Sequence, residues 1–294
     1  MAKLYQEPIK KHDIEEYLDQ YSDFSFELKV LNLLNQMGFE CEHSGIYEDP
    51  ITKKTREFDI RATKSFGFRH VKLSVECKNF RENFPLVAHC CKRKQDESYH
   101  NVLVNKHVDK NKSILTGKDP SSIMKRLSSP HSLYKKDEFV AKSIDQVGRT
   151  ANGITSNDGS VFEKINQAIH SAYDLIAKAH YKDQGIDGKV ELVLPVLVIP
   201  DDRLWVVKYD QEGNMLGNIE LCNHLTQYVG QKWKVGYVGD NYLFNDFAWY
   251  TLSHLEIITV SSLKSILENY FGCDEGVNNS FSQYSAIELY DLKV

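Results

Sequence analysis

The sequence predicts an α/β protein, a mixed β-sheet flanked by helices. Three observations carry this expectation. An amphipathic helical stretch precedes two segments of strict alternation, a later helix has a long apolar stripe, and a ten-residue run is apolar enough for a strand covered on both faces.

The first strong helix is expected to start after Ser22 or Asp23 and to stop at Gly38. Phe24, Leu28, Leu31, Leu34 and Met37 form one stripe, and glycine accepts the left-handed conformation that ends a helix. Two strands follow. Glu57 to Ala62 sets Phe58 and Ile60 against Asp59 and Arg61, and Val71 to Phe80 sets Val71, Leu73, Val75 and Cys77 against Lys72, Ser74, Glu76 and Lys78. The connector, Thr63 to His70, contains Gly67 and is short enough for an antiparallel hairpin.

From Arg81 to about Gly159 the pattern is weaker, with short helices expected near Pro120 to Leu127 and Lys136 to Val147. This stretch reads as a long insertion. A second clear helix runs from Ser160 or Val161 to Tyr181, where Val161, Ile165, Ala168, Ile169, Ala172 and Ile176 share a face. The buried strand Val190 to Ile199 comes next. Asp201-Asp202 then turns the chain into Leu204 to Tyr209, and Asp210 to Asn214 turns it into Met215 to Leu221. A last strand, Leu255 to Val260, feeds a helix from about Ser262 to Phe271 that ends at Gly272. One domain over 1–294 is expected, its core about 20–80 and 160–272, its insertion about 81–159.

Composition excludes several classes. With 294 residues, 41% hydrophobic and 11% aromatic, the chain can bury a sizeable core and is not disordered, and 16 Gly and 7 Pro leave nothing collagenous. The longest apolar run holds Glu191 and Pro195 and is too short to cross a bilayer, so no membrane is expected. Met1 to Gln20 is interrupted by charges and lacks the apolar core of a secretory signal. A soluble cytoplasmic protein is expected, with Cys41, Cys77, Cys90, Cys91, Cys222 and Cys273 as reduced thiols. There is no GxxxxGK[ST] loop and no GxGxxG fingerprint, so an ATP-driven step would need a separate ATPase partner.

The formal charge of -5 hides an asymmetry. Residues 81–149 hold 14 Lys plus Arg against 8 Asp plus Glu, whereas 183–294 hold 7 against 16. Lys92, Arg93, Lys94, Lys125 and Arg126 are the expected contacts to a nucleic-acid backbone. The competing expectation is a solvated region that keeps the protein soluble.

Within the hairpin, Glu76 and Lys78 lie two apart and share a face, while Cys77 points to the other. If Asp59 projects to that face from the paired strand, two carboxylates and an ammonium converge. Carboxylate oxygens with waters make the hard site that magnesium prefers, and the Cys77 carbonyl can add a ligand. Such a site suits phosphodiester hydrolysis, with a lysine orienting the attacking water or assisting its deprotonation.

REFDIRA (Arg56 to Ala62) followed by SVECKNF (Ser74 to Phe80) resembles the Asp...Glu-x-Lys signature of the PD-(D/E)XK, or restriction-endonuclease-like, nuclease superfamily. The resemblance covers about Ser22 to Phe80, and the later helix and strand by order alone. It implies a restriction-endonuclease-like mixed β-sheet flanked by helices, with the signature on the first hairpin after an N-terminal helix and a long insertion behind it. It further implies that Asp59 and Glu76 bind Mg2+ or Mn2+ with the Cys77 carbonyl, that Lys78 handles the nucleophile, and that Glu27 on the helix completes the metal site. The residue before Asp59 is Phe58 where the superfamily's name has proline. The expected activity is a metal-dependent endonuclease acting on DNA in restriction, phage defence or repair, as a homodimer if both strands are cut. RNA is an equally permissible substrate of the chemistry.

Blander expectations stand beside these. Glu-x-Lys on a strand is often a solvated face or a cross-strand ion pair, and Glu27 is also an acid favoured by the helix macrodipole. His89, Cys90 and Cys91 with His100 or His107 have irregular spacing for zinc. The rival to an enzyme is a catalytically inactive module on the same fold that binds nucleic acid or a protein partner.

Overall fold

The computed structural model describes residues 7–105, 122–151, 153–157, 159–182, 188–236, 247–282 and 288. Two helices, α1 (Lys11–Gln20) and α2 (Phe24–Gln36), precede β1 (Glu40–Glu48), β2 (Thr55–Phe66) and β3 (Arg69–Cys77). Then come β4 (Leu86–Lys92), β5 (Tyr99–Asn105), β6 (Ser122–Ser128), β7 (Phe139–Thr150) and β8 (Gly153–Ser156). The long helix α3 (Gly159–Lys182) leads into β9 (Lys189–Ile199), β10 (Leu204–Tyr209), β11 (Met215–Leu221), β12 (His224–Gly236) and β13 (Phe247–Thr259). Helices α4 (Leu263–Phe271) and α5 (Asp274–Phe281) close the described chain. Among the described residues no helix is long and apolar enough to cross a membrane.

The strands form one large mixed sheet in the order β1-β2-β3-β9-β13-β12-β7-β4-β10-β11, with β5 on β9, β6 on β5 and β8 on β7. Strand β9 is its centre, parallel to β3 over its length and to β13 over its last residues. Its near-continuous apolar sequence is buried on both faces, as a central parallel strand requires. The far edge of β9 passes from β5, paired up to Glu191, to β13, paired from Val196, and Pro195 lies in the gap between them. A residue with no N–H to give is tolerated there.

Each face of the sheet has its own core. On one side α3 lays Val161, Ile165, Ala168, Ile169, Ala172 and Ile176 against Leu197, Ile257 and their neighbours. On the other, α2, α4 and α5 cover Ile60, Val75, Cys77, Val198 and Ile258. The helix-to-sheet approach of α3 is close at Ala168, whose carbonyl accepts the Ser74 hydroxyl at 2.9 Å.

Within the segment 81–159, β4 and β7 take interior places in the sheet. The two short helices expected within it are strands: Ser122–Ser128 is β6, with 120–121 outside the described residues, and Phe139–Thr150 is β7. In β7 the register slips by one residue at Lys142, where His89 faces Ser143 but Cys90 faces Ala141. That bulge breaks the alternation and spaces Val140, Ala141 and Ile144 like a helix. In α2 the buried stripe is Phe26, Val30 and Leu34, while Phe24 and Leu28 are exposed. Gly38 does end that helix in the left-handed region, at φ 79°.

Candidate active site at the fork of the first hairpin

Strands β2 and β3 pair from Phe66↔Arg69 to Ile60↔Val75 and no further. Beyond that point β2 stays with β1, whereas Glu76 and Cys77 stay with Leu197 and Val198 of β9. The hairpin therefore forks, and the first residues past the last rung are Asp59 and Glu76. Both project toward α3, on the face that carries Arg61 and Ser74. The fork frees the Cys77 N–H from the partner strand, and it donates instead to Asp59 Oδ2 at 2.7 Å.

The carboxylates meet around an ammonium that the sequence reading did not identify. Lys164 of α3 donates to Asp59 Oδ2 at 3.2 Å, Asp59 Oδ1 at 3.4 Å and Glu76 Oε2 at 3.1 Å. Glu76 is 1% exposed, and its Oε1 has no hydrogen-bond partner. Burial, and next the charge of Asp59, push the Glu76 carboxyl up to about 8 against the pull of Lys164. Lys164 is held above its ordinary value, because Glu76 and Asp59 outweigh its own burial. A buried carboxyl with a raised pKa, set between two partly buried charged groups, is a combination that functional sites concentrate. One signal of Lys164 was present in the sequence: it sits three residues after Val161 and four before Ala168, a charge embedded in a buried stripe.

Lys78 is elsewhere. Its Nζ donates to Asp23 Oδ2 at 2.7 Å, while Asp23 Oδ1 accepts the Asn79 N–H at 2.9 Å. Asp23 precedes α2 as its N-cap residue but makes no side-chain cap bond, because its carboxylate is drawn to the strand end. The Lys78 ammonium, expected on the carboxylate pair, is bound instead by Asp23 of the α2 N-terminus. Glu27 also finds another partner, His43 on β1, at 3.2 Å. Burial raises the Glu27 carboxyl, and the charge of Asp59 adds to this across the fork. Cys77 turns its side chain into the core, where burial raises the thiol well above its ordinary value.

Among the described residues no group of three or more His, Cys, Asp or Glu side chains is gathered to hold a metal ion. The donor set at the fork is two carboxylates, one with an unpartnered buried oxygen. All the donors are hard, which fits magnesium or manganese and not a soft-metal site. Among the described residues the zinc candidates are not gathered: His89 bonds Asp145 and Tyr209, and His100 bonds the Ser280 carbonyl and the Leu133 N–H; His107 lies outside the described residues.

The basic residues expected to meet a phosphate backbone divide. Lys92, Lys94 and Arg126 are exposed, the last with its guanidinium 3.8 Å from the Tyr99 ring centroid. Lys125 is buried. Arg93 is 2% exposed and spent inside the protein on His254, Thr226, Glu138 and the Lys135 carbonyl, so it does not reach a phosphate.

No protein family, no curated protein and no solved structure matches the chain. The class defined by fold and site is a mixed α/β sheet protein with a partly buried two-carboxylate, one-lysine cluster at a strand fork.

Proposed function

We propose that the chain is a divalent-metal-dependent nuclease of the restriction-endonuclease-like type, with its reaction centre at the fork. One observation carries the reading: Asp59 and Glu76 converge past the last rung of the hairpin, and the buried Glu76 Oε1 is left without a partner. The order of Asp strand, Glu-x-Lys strand and covering helices supports it. Asp59 and Glu76 would hold Mg2+ or Mn2+, with the Cys77 carbonyl at the same strand end. When bound, the ion supplies Lewis-acid stabilisation of the charge that develops on phosphorus. Lys164 takes the role expected of Lys78, holding an ammonium beside both carboxylates where it orients a water or meets a phosphate oxygen. Lys78, fastened to Asp23, positions the strand end relative to α2.

DNA is the proposed substrate, with Lys92, Lys94 and Arg126 as its exposed basic contacts. The test is plasmid DNA, linear duplex, single strands and RNA incubated side by side with Mg2+, with Mn2+ and with chelator. Metal-dependent cutting of DNA supports the reading, and cutting of RNA alone reassigns the substrate.

A specific observation favours the rival, a non-catalytic module. Lys164 already compensates both carboxylates, and Lys78 is locked to a distant acid. Salt-sensitive binding of DNA without cutting under either metal would decide for that version.

A further inference from the structure

Helix α1 is ten residues long, and from Lys11 to Leu18 every residue except Asp13 is exposed. Ile14, Tyr17, Leu18 and Tyr21 recur at i, i+3, i+4 and i+7, and Phe24 and Leu28 of α2 are exposed apolar residues as well. All six are between 42% and 59% exposed. Tyr17 and Tyr21 stack with centroids 6.5 Å apart, so the stripe is ordered within itself. An isolated helix this short is marginal in water, and its stability normally comes from burying an apolar face against a neighbour. A contiguous exposed face of this kind marks an interaction surface.

The charges along α1 identify the neighbour. The sequence runs Lys10, Lys11, His12 at the start and Glu15, Glu16, Asp19 toward the end. Only Asp13 interrupts the basic end, and no basic residue occupies the last turn. This gradient opposes the helix macrodipole, which favours acids at the N-terminus and bases at the C-terminus. A second α1 laid antiparallel reverses both the charges and the dipole. The basic end of one copy then meets the acidic end of the other while the stripes face each other, and the contact is isologous.

We propose that α1 is the self-association helix of this protein, pairing antiparallel with α1 of a second copy through Ile14, Tyr17, Leu18 and Tyr21. The inference does not rest on the nuclease reading. The stripe ends two residues before Asp23, whose carboxylate binds Lys78.

Sedimentation velocity on the full chain over a wide concentration range tests this. The wild type is expected to be dimeric. Leu18→Glu and, independently, Tyr17→Glu are expected to weaken the dimer about a hundredfold or more, because each removes an apolar contact from both copies. Their circular dichroism and melting, measured where the wild type is monomeric, should match the wild type, since both side chains are exposed in the single chain. Lys10→Glu with Lys11→Glu should also weaken the dimer, and adding Glu16→Lys with Asp19→Lys to that chain should restore it. A wild type that is monomeric at every concentration overturns the proposal, as does a dimer that survives both stripe variants. Failure of the fourfold charge reversal to restore association overturns the antiparallel arrangement.

Discussion

Replacing Glu76 with glutamine should stabilise the metal-free protein at alkaline pH and leave it nearly unchanged in mild acid. The carboxyl is 1% exposed, beside Asp59, and held up to about 8 from an ordinary value of 4.5. Below pH 4.5 it is protonated in the folded and unfolded states alike, and its effect on stability is nil. As pH rises, the unfolded chain gives up this proton while the folded protein keeps it, so folding is progressively penalised until the folded group also ionises near 8. The full penalty is about 5 kcal/mol at 1.36 kcal/mol per pH unit. Glutamine keeps the shape and cannot ionise, and its amide can donate to Asp59. The assay is urea unfolding with chelator present, at pH 4.5 and pH 8.5. The advantage of Glu76→Gln over wild type should grow by several kcal/mol between these conditions. An equal difference at both pH values, or a variant less stable at pH 8.5, would refute the placement of an electrostatically strained carboxyl at the fork.

Other outcomes follow from the same geometry. Lys164→Gln should reduce metal-dependent cutting about a hundredfold or more, and Lys78→Ala should cost less; the reverse order in a plasmid assay returns the catalytic role to Lys78. His100 is buried with its Nδ1 accepting the Leu133 N–H and its Nε2 donating to the Ser280 carbonyl, and burial lowers it to about 4. The unfolded histidine protonates first as pH falls from 6.5 toward 4, so about 3 kcal/mol of stability is lost over that window, and an NMR titration showing folded His100 protonating near 6.5 contradicts this. A β-carbon at Gly45 would lie 2.3 Å from the Phe58 ring, next to Asp59, so Gly45→Ala should destabilise by about 1–3 kcal/mol in urea unfolding.

The legible parts of the fold were those with one unbroken period. Strand β9, helix α3 and the pair β10 and β11 fall where apolar continuity, helical spacing and flanking turns place them. Strand β7 was not legible, because the bulge at Lys142 exchanges one period for the other. Strand β1 escaped notice because it lies at the sheet edge, where most of its residues are exposed or half-buried and its apolar signal is diluted. At the site, the two carboxylates could be read from alternation within one hairpin. Lysine partners could not: Lys78 and Lys164 are decided by contacts to Asp23, 55 residues away, and to Glu76, 88 residues away. Chain-distant packing of α2 and α3 selects which ammonium reaches the fork; local spacing marks Lys164 as a charge within a buried stripe and does not record which acids it meets.

The proposed reaction centre requires Asp59 and Glu76 to hold one divalent ion together. A calorimetric titration of Mn2+ into the wild type and into Asp59→Asn tests it most directly. One site per chain in the wild type, lost in the variant while its fold is retained, is the predicted result; no binding to the wild type, or binding that survives Asp59→Asn, would contradict it.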